Sequence, residues 1–166
     1  MPRTLSRWIF LALLLLGAAY VWFTGDGLPE RVASHFDASG NPDGYMNRSG
    51  YRLFILAFTA GFPLLVVTML GLLYRRSAAR MNIPNRDYWL APERVEGTIA
   101  FLTAHAQWLG SILVVLFCAM HHLLLQANSV QPPQLPGSGL TLLMLVPVLG
   151  VGAWITTLMV RLRRKR

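Results

Sequence analysis

The sequence is poor in charge and has long stretches with none. Asp, Glu, Lys and Arg make up 13% of the 166 residues, against about 25% in ordinary soluble domains. Residues 8–25, 53–74 and 97–160 contain none of the four. A soluble fold of this size could not bury so much apolar surface. The composition therefore predicts an integral membrane protein and leaves no room for a separate soluble catalytic domain.

Cysteine and known catalytic motifs are also scarce. The single Cys118 excludes an internal disulfide, a CxxC redox motif and a cysteine-rich zinc site, and its apolar surroundings indicate a packing residue. The sequence has no HExxH, no GxSxG and no phosphate-binding glycine loop. The net charge of +8 does not indicate nucleic-acid binding, because the basic residues flank apolar segments. The lipid bilayer is the partner that the composition predicts.

Four apolar segments are long enough to cross a bilayer, which takes roughly 20 residues. We predict spans at about residues 8–24, 53–74, 98–127 and 139–160. Bulky aromatic residues end the first span, so we expect an uncleaved helix and not a signal peptide. The predicted fold is an all-α integral membrane protein. Residues 1–166 form one domain, a four-transmembrane-helix bundle with a structured outer loop at 25–50 and a cytoplasmic loop at 75–97.

The basic residues predict the orientation of the bundle. An even number of spans places both termini and the second loop on the same side. That side holds twelve Lys and Arg residues, whereas the first loop holds three and the third loop none. Because cytoplasmic loops carry the excess of Lys and Arg, both termini are predicted to be cytoplasmic.

The first outer loop contains the spacing of a short helix. Pro29 suits the first helical position, and a helix starting there would carry Leu28, Val32 and Phe36 as an apolar stripe against the bundle. Turns are expected after it, at Gly40, Pro42 and Gly44.

Polar residues of the same loop resemble metal ligands. A standard calcium loop is excluded, because Pro42 and Arg48 occupy the positions of its glycine and its bidentate glutamate. Ionisable residues within a span are functional candidates, and two histidines emerge from the third span on the side of this loop. One interpretation is a turn held by Asp and Asn side chains. The other is a divalent metal site, for zinc as an example, with the ligands His35, Asp37, Asp43, His121 and His122.

A third intramembrane histidine is separate from these. His105 lies on the opposite face of the third span and roughly 23 Å from His121 along a helix. We expect it to form a hydrogen bond to a neighbouring helix.

Residues 28–44, LPERVASHFDASGNPDG, carry a recognisable pattern. They resemble the signature of the bacterial membrane family called domain of unknown function 1648, LP-x-x-(I/V)-x-x-HF-(N/D)-x-x-G-x-x-D, which follows a first transmembrane helix. The resemblance covers roughly residues 8–95. It implies a bacterial inner-membrane protein whose outer loop carries the identifying residues. The family includes the N-terminal part of SdpI, so it also implies an SdpI-like immunity or signalling role.

The sequence thus predicts a non-enzymatic membrane protein that binds an extracytoplasmic ligand, peptide or membrane-protein partner through its outer loop. The residues expected to bind are His35, Phe36, Asp37, Gly40 and Asp43. One alternative is a metal-dependent membrane enzyme or transporter component that uses the five metal ligands given above. Another is a structural subunit of a membrane complex. No catalytic residue is predicted.

Overall fold

The structure is a computed structural model that describes residues 3–77 and 80–164. It contains four helices long and apolar enough to cross a membrane, at Thr4–Gly27, Arg48–Arg76, Val95–Asn128 and Leu145–Arg163. Large apolar side chains point outward from them; Leu15 and Phe23, for example, are about three-quarters exposed. The predicted four-helix, multi-pass membrane fold is confirmed, with the addition of a small two-stranded sheet.

The elements follow one another in a simple order. They are α1 (Arg3–Thr24), a 3-10 turn (Gly25–Gly27), β1 (Arg31–Phe36), β2 (Pro42–Asn47), α2 (Arg48–Leu56), a π-helical segment (Ala57–Gly61), α3 (Phe62–Arg76), α4 (Arg86–Trp89), α5 (Val95–Asn128) and α6 (Gly137–Arg163). Helix α5 is central, because it contacts α1, α3 and α6. We call the end of the bundle that carries the two strands the hairpin end, and the end that carries α4 the basic end.

Small residues allow the helices to approach closely. A Cβ atom at Gly110 of α5 would lie 2.6 Å from the Phe10 ring of α1 and 2.5 Å from Val67 of α3. In lipid, where close van der Waals packing drives helix association, such residues mark the contact faces. Cys118 packs against the buried cluster that contains Phe10 and Val114, which confirms its predicted packing role.

Span two changes helical register at its proline. Pro63 has no N–H to donate to the carbonyl of Thr59, and its ring clashes with that carbonyl in an α-helix. The five-residue π segment just before it accommodates the clash, and the Phe62 N–H donates to the Ala57 carbonyl five residues back. The chain therefore continues from α2 into α3 without a break.

The predicted helix at Pro29 is wrong. Residues Arg31–Phe36 instead pair antiparallel with Pro42–Asn47 as a β-hairpin. A spacing of four residues is close to the helical period but is also a multiple of two, so Leu28, Val32 and Phe36 fit one face of an extended chain equally well. The pattern could not distinguish the two structures.

Candidate functional site

The hairpin is fixed to the bundle through β1. Val32 is fully buried and Leu28 nearly so, and they join Val21 of α1 with Tyr51 and Ile55 of span two in one apolar cluster. The first strand therefore belongs to the core of the hairpin end, although it lies in a segment between two spans.

The side chain of Asn128 covers the outer edge of β1. Its Oδ1 accepts a hydrogen bond from the Ala33 N–H at 2.8 Å, and its Nδ2 donates to the Ala33 carbonyl at 3.0 Å. The second hydrogen of Nδ2 goes to the Leu124 carbonyl at 2.9 Å. The amide thus replaces one peptide unit of a third strand, and both buried backbone groups of Ala33 are satisfied.

Strand β2 is left with an open edge. The N–H and C=O of Ala33 both point to Asn128, so Ala33 and its cross-strand partner Tyr45 form a non-hydrogen-bonded pair. Hydrogen-bonded and non-hydrogen-bonded pairs alternate along an antiparallel ladder, and the bond from the Arg48 N–H to the Glu30 carbonyl at 3.0 Å fits this alternation. The N–H and C=O of Tyr45 therefore point away from β1. Within residues 3–77 and 80–164 the sheet has two strands, so no third strand pairs with this edge.

Two of the predicted binding residues form an exposed pair across the strands. The His35 imidazole contacts the Asp43 carboxylate through Nδ1, and 74% of the His35 side chain and 48% of the Asp43 side chain are exposed. An exposed pair of this kind contributes little to stability, at most about 1 kcal/mol. Its groups are consequently available to another molecule.

Asp37 builds the turn between the strands. Its Oδ1 accepts hydrogen bonds from the backbone N–H of Ser39 at 2.8 Å and of Asn41 at 2.9 Å. These bonds stabilise the carboxylate, and the Asn41 N–H above all holds the pKa of Asp37 below its usual range. The predicted turn held by an Asp side chain is therefore present at this residue.

Gly40 connects the hairpin tip to the proline-rich segment between α5 and α6. Its φ of +84° is unfavourable for other residues, and a Cβ atom there would lie 2.4 Å from the Leu135 carbonyl oxygen. The Gly40 carbonyl accepts a hydrogen bond from the Leu135 N–H at 2.9 Å. Phe36, at the end of β1, is half-buried. The structure thus brings all five predicted binding residues into one hairpin, with different roles.

His121 of α5 joins α1 and α2 beneath the hairpin and is fully buried. The Thr24 hydroxyl donates to the Tyr20 carbonyl at 2.6 Å, so its oxygen accepts from the His121 Nε2–H at 2.9 Å. The Nδ1 atom then accepts from the Tyr51 hydroxyl at 2.8 Å. A neutral imidazole with its proton on Nε2 satisfies every partner in this network.

The five predicted metal ligands lie in separate environments. His121 is buried in its network, whereas His122 contacts the Tyr20 hydroxyl at 3.0 Å and the Gln126 amide at 3.3 Å. The other three lie on the hairpin, as described above. Among the residues that the structure describes, no three His, Cys, Asp or Glu side chains are grouped so as to hold a metal ion. The structure therefore does not assemble the five into one centre.

Several residues of this region were not identified from the sequence. The sequence places Thr24 at the end of the first predicted span, Tyr51 between the outer loop and the second span, and Asn128 just beyond the third span, and it assigns no role to any of them. The one available signal was a polar side chain at the last turn of each apolar segment, where membrane helices commonly change from lipid to water.

Comparisons with known proteins bear on the first third of the chain. No curated protein and no solved structure matches the chain. A family model does match residues 8–60, which include most of α1, the whole hairpin, α2 and most of the π segment. The resemblance predicted from the hairpin residues is confirmed for this part of the chain, because residues 8–60 match the model of the family described as Domain of unknown function (DUF1648).

Proposed function

We propose that this chain is a non-enzymatic protein of the bacterial inner membrane that binds an extracytoplasmic peptide or protein partner along strand β2. The observation that carries the proposal is the open edge of β2 next to a buried and hydrogen-bonded β1. Exposed strand edges accept an additional extended chain, whose backbone bonds give affinity while side chains give specificity.

The surroundings of this edge suit specific recognition. The Arg31 guanidinium lies 4.4 Å from the centroid of the exposed Tyr45 ring, and the exposed His35–Asp43 pair spans the same hairpin. Because β1 is fixed by Asn128, little conformational entropy is lost when a partner binds to the neighbouring strand. A secreted peptide is the kind of partner that an SdpI-like immunity or signalling role requires.

The charge distribution supports an orientation with the hairpin outside. The described part of the basic end carries a cluster of arginines in the second loop and the C-terminal tail, in addition to those of the first turns of α1; the cluster consists of Arg75, Arg76, Arg80, Arg86, Arg94, Arg161, Arg163 and Arg164. Lys165 and Arg166, which belong to the same basic tail, lie outside the described residues. A reporter active only in the cytoplasm, fused after Arg166, should be active, whereas a periplasmic reporter there should be silent. The reverse result contradicts this orientation.

Substitution of Tyr45 tests the binding edge. Tyr45→Pro removes the outward N–H and hinders addition of a strand, whereas Tyr45→Thr keeps the N–H and a good strand former. Tagged proteins would be purified in native lipid, and associated extracytoplasmic proteins and peptides quantified by mass spectrometry.

The expected result is a partner that is retained by Tyr45→Thr and lost by Tyr45→Pro at equal membrane abundance. A set of associated molecules that is the same for all three proteins would refute binding along β2.

A further inference from the structure

The basic end carries a groove that the hairpin does not use. It lies between α5 and α6, has a volume of about 890 Å³ and is lined by apolar and aromatic residues of both helices. Gly150 and Ala153 of α6 leave it deep, and Phe101 and Trp108 of α5 form its other wall. Its volume falls in the range of about 300–1,000 Å³ that is typical of small-molecule sites.

The groove wall is held in place by a reciprocal pair of hydrogen bonds. The Trp154 indole N–H donates to the His105 carbonyl at 2.8 Å, and His105 Nε2 donates to the Trp154 carbonyl at 3.0 Å. The two rings stack with centroids 4.8 Å apart. The predicted bond from His105 to a neighbouring helix is confirmed. Since the ring N–H groups of His105 and Trp154 both have hydrogen-bond partners, the groove offers an apolar surface next to the membrane.

One mouth of the groove is positively charged. Two smaller cavities, of about 330 and 290 Å³, meet the groove at Arg161, and Arg164 lines the second of them. Among the described residues neither arginine forms an ion pair with a carboxylate, and the nearby Glu93 is paired with Arg94 at 2.7 Å. The mouth therefore retains charge for an anion.

Helix α4 keeps this mouth in position. The Trp89 indole N–H donates to the Leu162 carbonyl at 2.7 Å, and the Asn85 side chain donates to the Leu162 and Arg163 carbonyls at 3.1 and 3.0 Å. The Arg161 guanidinium lies 5.7 Å from the Trp89 ring centroid. Tryptophan prefers the headgroup level of a bilayer, so Arg161 lies at the depth of lipid phosphates.

The length of the groove matches one leaflet. From Arg161 to Gly150 helix α6 rises through eleven residues, or roughly 16 Å. Half of the hydrocarbon core of a bilayer is about 15 Å. An acyl chain that starts from a headgroup at Arg161 would therefore end near Gly150.

We propose that this groove binds one anionic glycerophospholipid, with its phosphate at Arg161 and Arg164 and an acyl chain against Ala153 and Gly150. Basic pockets between membrane helices are suited to such headgroups. The site lies at the opposite end of the bundle from the hairpin, so it does not depend on the binding edge of β2.

Two substitutions, each with a matched control, test the charge and the groove separately. Arg161→Gln removes the phosphate contact, and Arg76→Gln removes an exposed arginine at the same end but outside the groove. Ala153→Leu fills the groove, whereas the new side chain of its control, Gly152→Leu, would extend into open space. Full-length protein in detergent would be titrated with phosphatidylglycerol or phosphatidylcholine, and bound lipid counted by native mass spectrometry.

We expect one phosphatidylglycerol per chain, bound more tightly than phosphatidylcholine. Arg161→Gln should weaken the binding of phosphatidylglycerol about fivefold, and Ala153→Leu should abolish that binding. Both control variants should bind phosphatidylglycerol as the unmodified chain does. Equal binding of the two lipids, or equal binding by Arg161→Gln and Arg76→Gln, would overturn the proposal. A change from dimer to monomer in Ala153→Leu with lipid binding unchanged would also overturn it, because the groove would then hold a second copy.

Discussion

Removal of the Asn128 amide is the sharpest test of how the hairpin is held. Asn128→Ala leaves both the N–H and the C=O of Ala33 without their partner, and Ala33 is fully buried. An unsatisfied buried polar group costs about 1–3 kcal/mol. Some water will enter the vacated space, so the combined cost should be about 2–3 kcal/mol. Burial of Leu28 and Val32, each worth about 1.5–3 kcal/mol, remains and should keep the strand docked.

The expected effect is therefore local opening of β1 and not loss of the hairpin. A cost of 2–3 kcal/mol corresponds to about 30- to 150-fold faster amide exchange. Hydrogen–deuterium exchange of the peptide spanning residues 28–36, measured in nanodiscs, would report it. Ser129→Ala is the control, because Ser129 is the exposed neighbour of Asn128 and its hydroxyl donates to the Gln126 carbonyl within the same helix end. If exchange in Asn128→Ala matched this control, the amide would not hold the edge of β1, and the inference that β2 has the open edge would lose its support.

Three further changes have defined outcomes. Gly40→Ala places a Cβ atom on a residue with φ +84° and against the Leu135 carbonyl, so protease cleavage at the hairpin tip should increase. Gly27→Ala is the control, because Gly27 has open space around it and its substitution should leave the cleavage unchanged. Tyr51→Phe deprives His121 Nδ1 of its donor and should cost about 1 kcal/mol in denaturation of the detergent-solubilised protein. Because the pKa of Asp37 is lowered, its stabilisation of the turn is present above the usual carboxyl pKa and is lost as the pH falls through the pKa of Asp37 in the folded protein. Protease protection of the turn should therefore be constant from neutral pH to about pH 5 and should decrease only in stronger acid. No such decrease is expected in Asp37→Asn, which has no carboxylate to protonate.

The membrane fold could be predicted because the lipid environment imposes a simple rule. Backbone polar groups in hydrocarbon must be satisfied within the segment, so long charge-free stretches specify helices wherever they occur. Cys118 as a packing residue followed from its apolar surroundings, and the hydrogen bond of His105 to a neighbouring helix followed from the position of this polar side chain within a span.

The hairpin could not be predicted because its stability does not come from local sequence. Val32 and Ala33 are buried against residues far along the chain, and the partner of the Ala33 backbone is Asn128, 95 residues away. Nothing in the spacing of apolar residues reports such a contact. The spacing of the predicted metal ligands could not report their surroundings for a related reason. In the structure Tyr51 and Thr24 already form hydrogen bonds with the two ring nitrogens of His121.

The unequal lengths of α1 and α5 set the height of the hairpin above the bilayer. Helix α1 has 22 residues, about 33 Å, which is close to the thickness of the hydrocarbon core, about 30 Å. Its last residue, Thr24, contacts His121, and α5 then continues for seven residues, about 10 Å, to Asn128. The hairpin therefore lies within reach of the lipid headgroups. If the proposed partner of β2 is a peptide that first adsorbs to the membrane, it would reach the strand by diffusion in two dimensions, and its partitioning into lipid would raise its effective concentration at the strand edge.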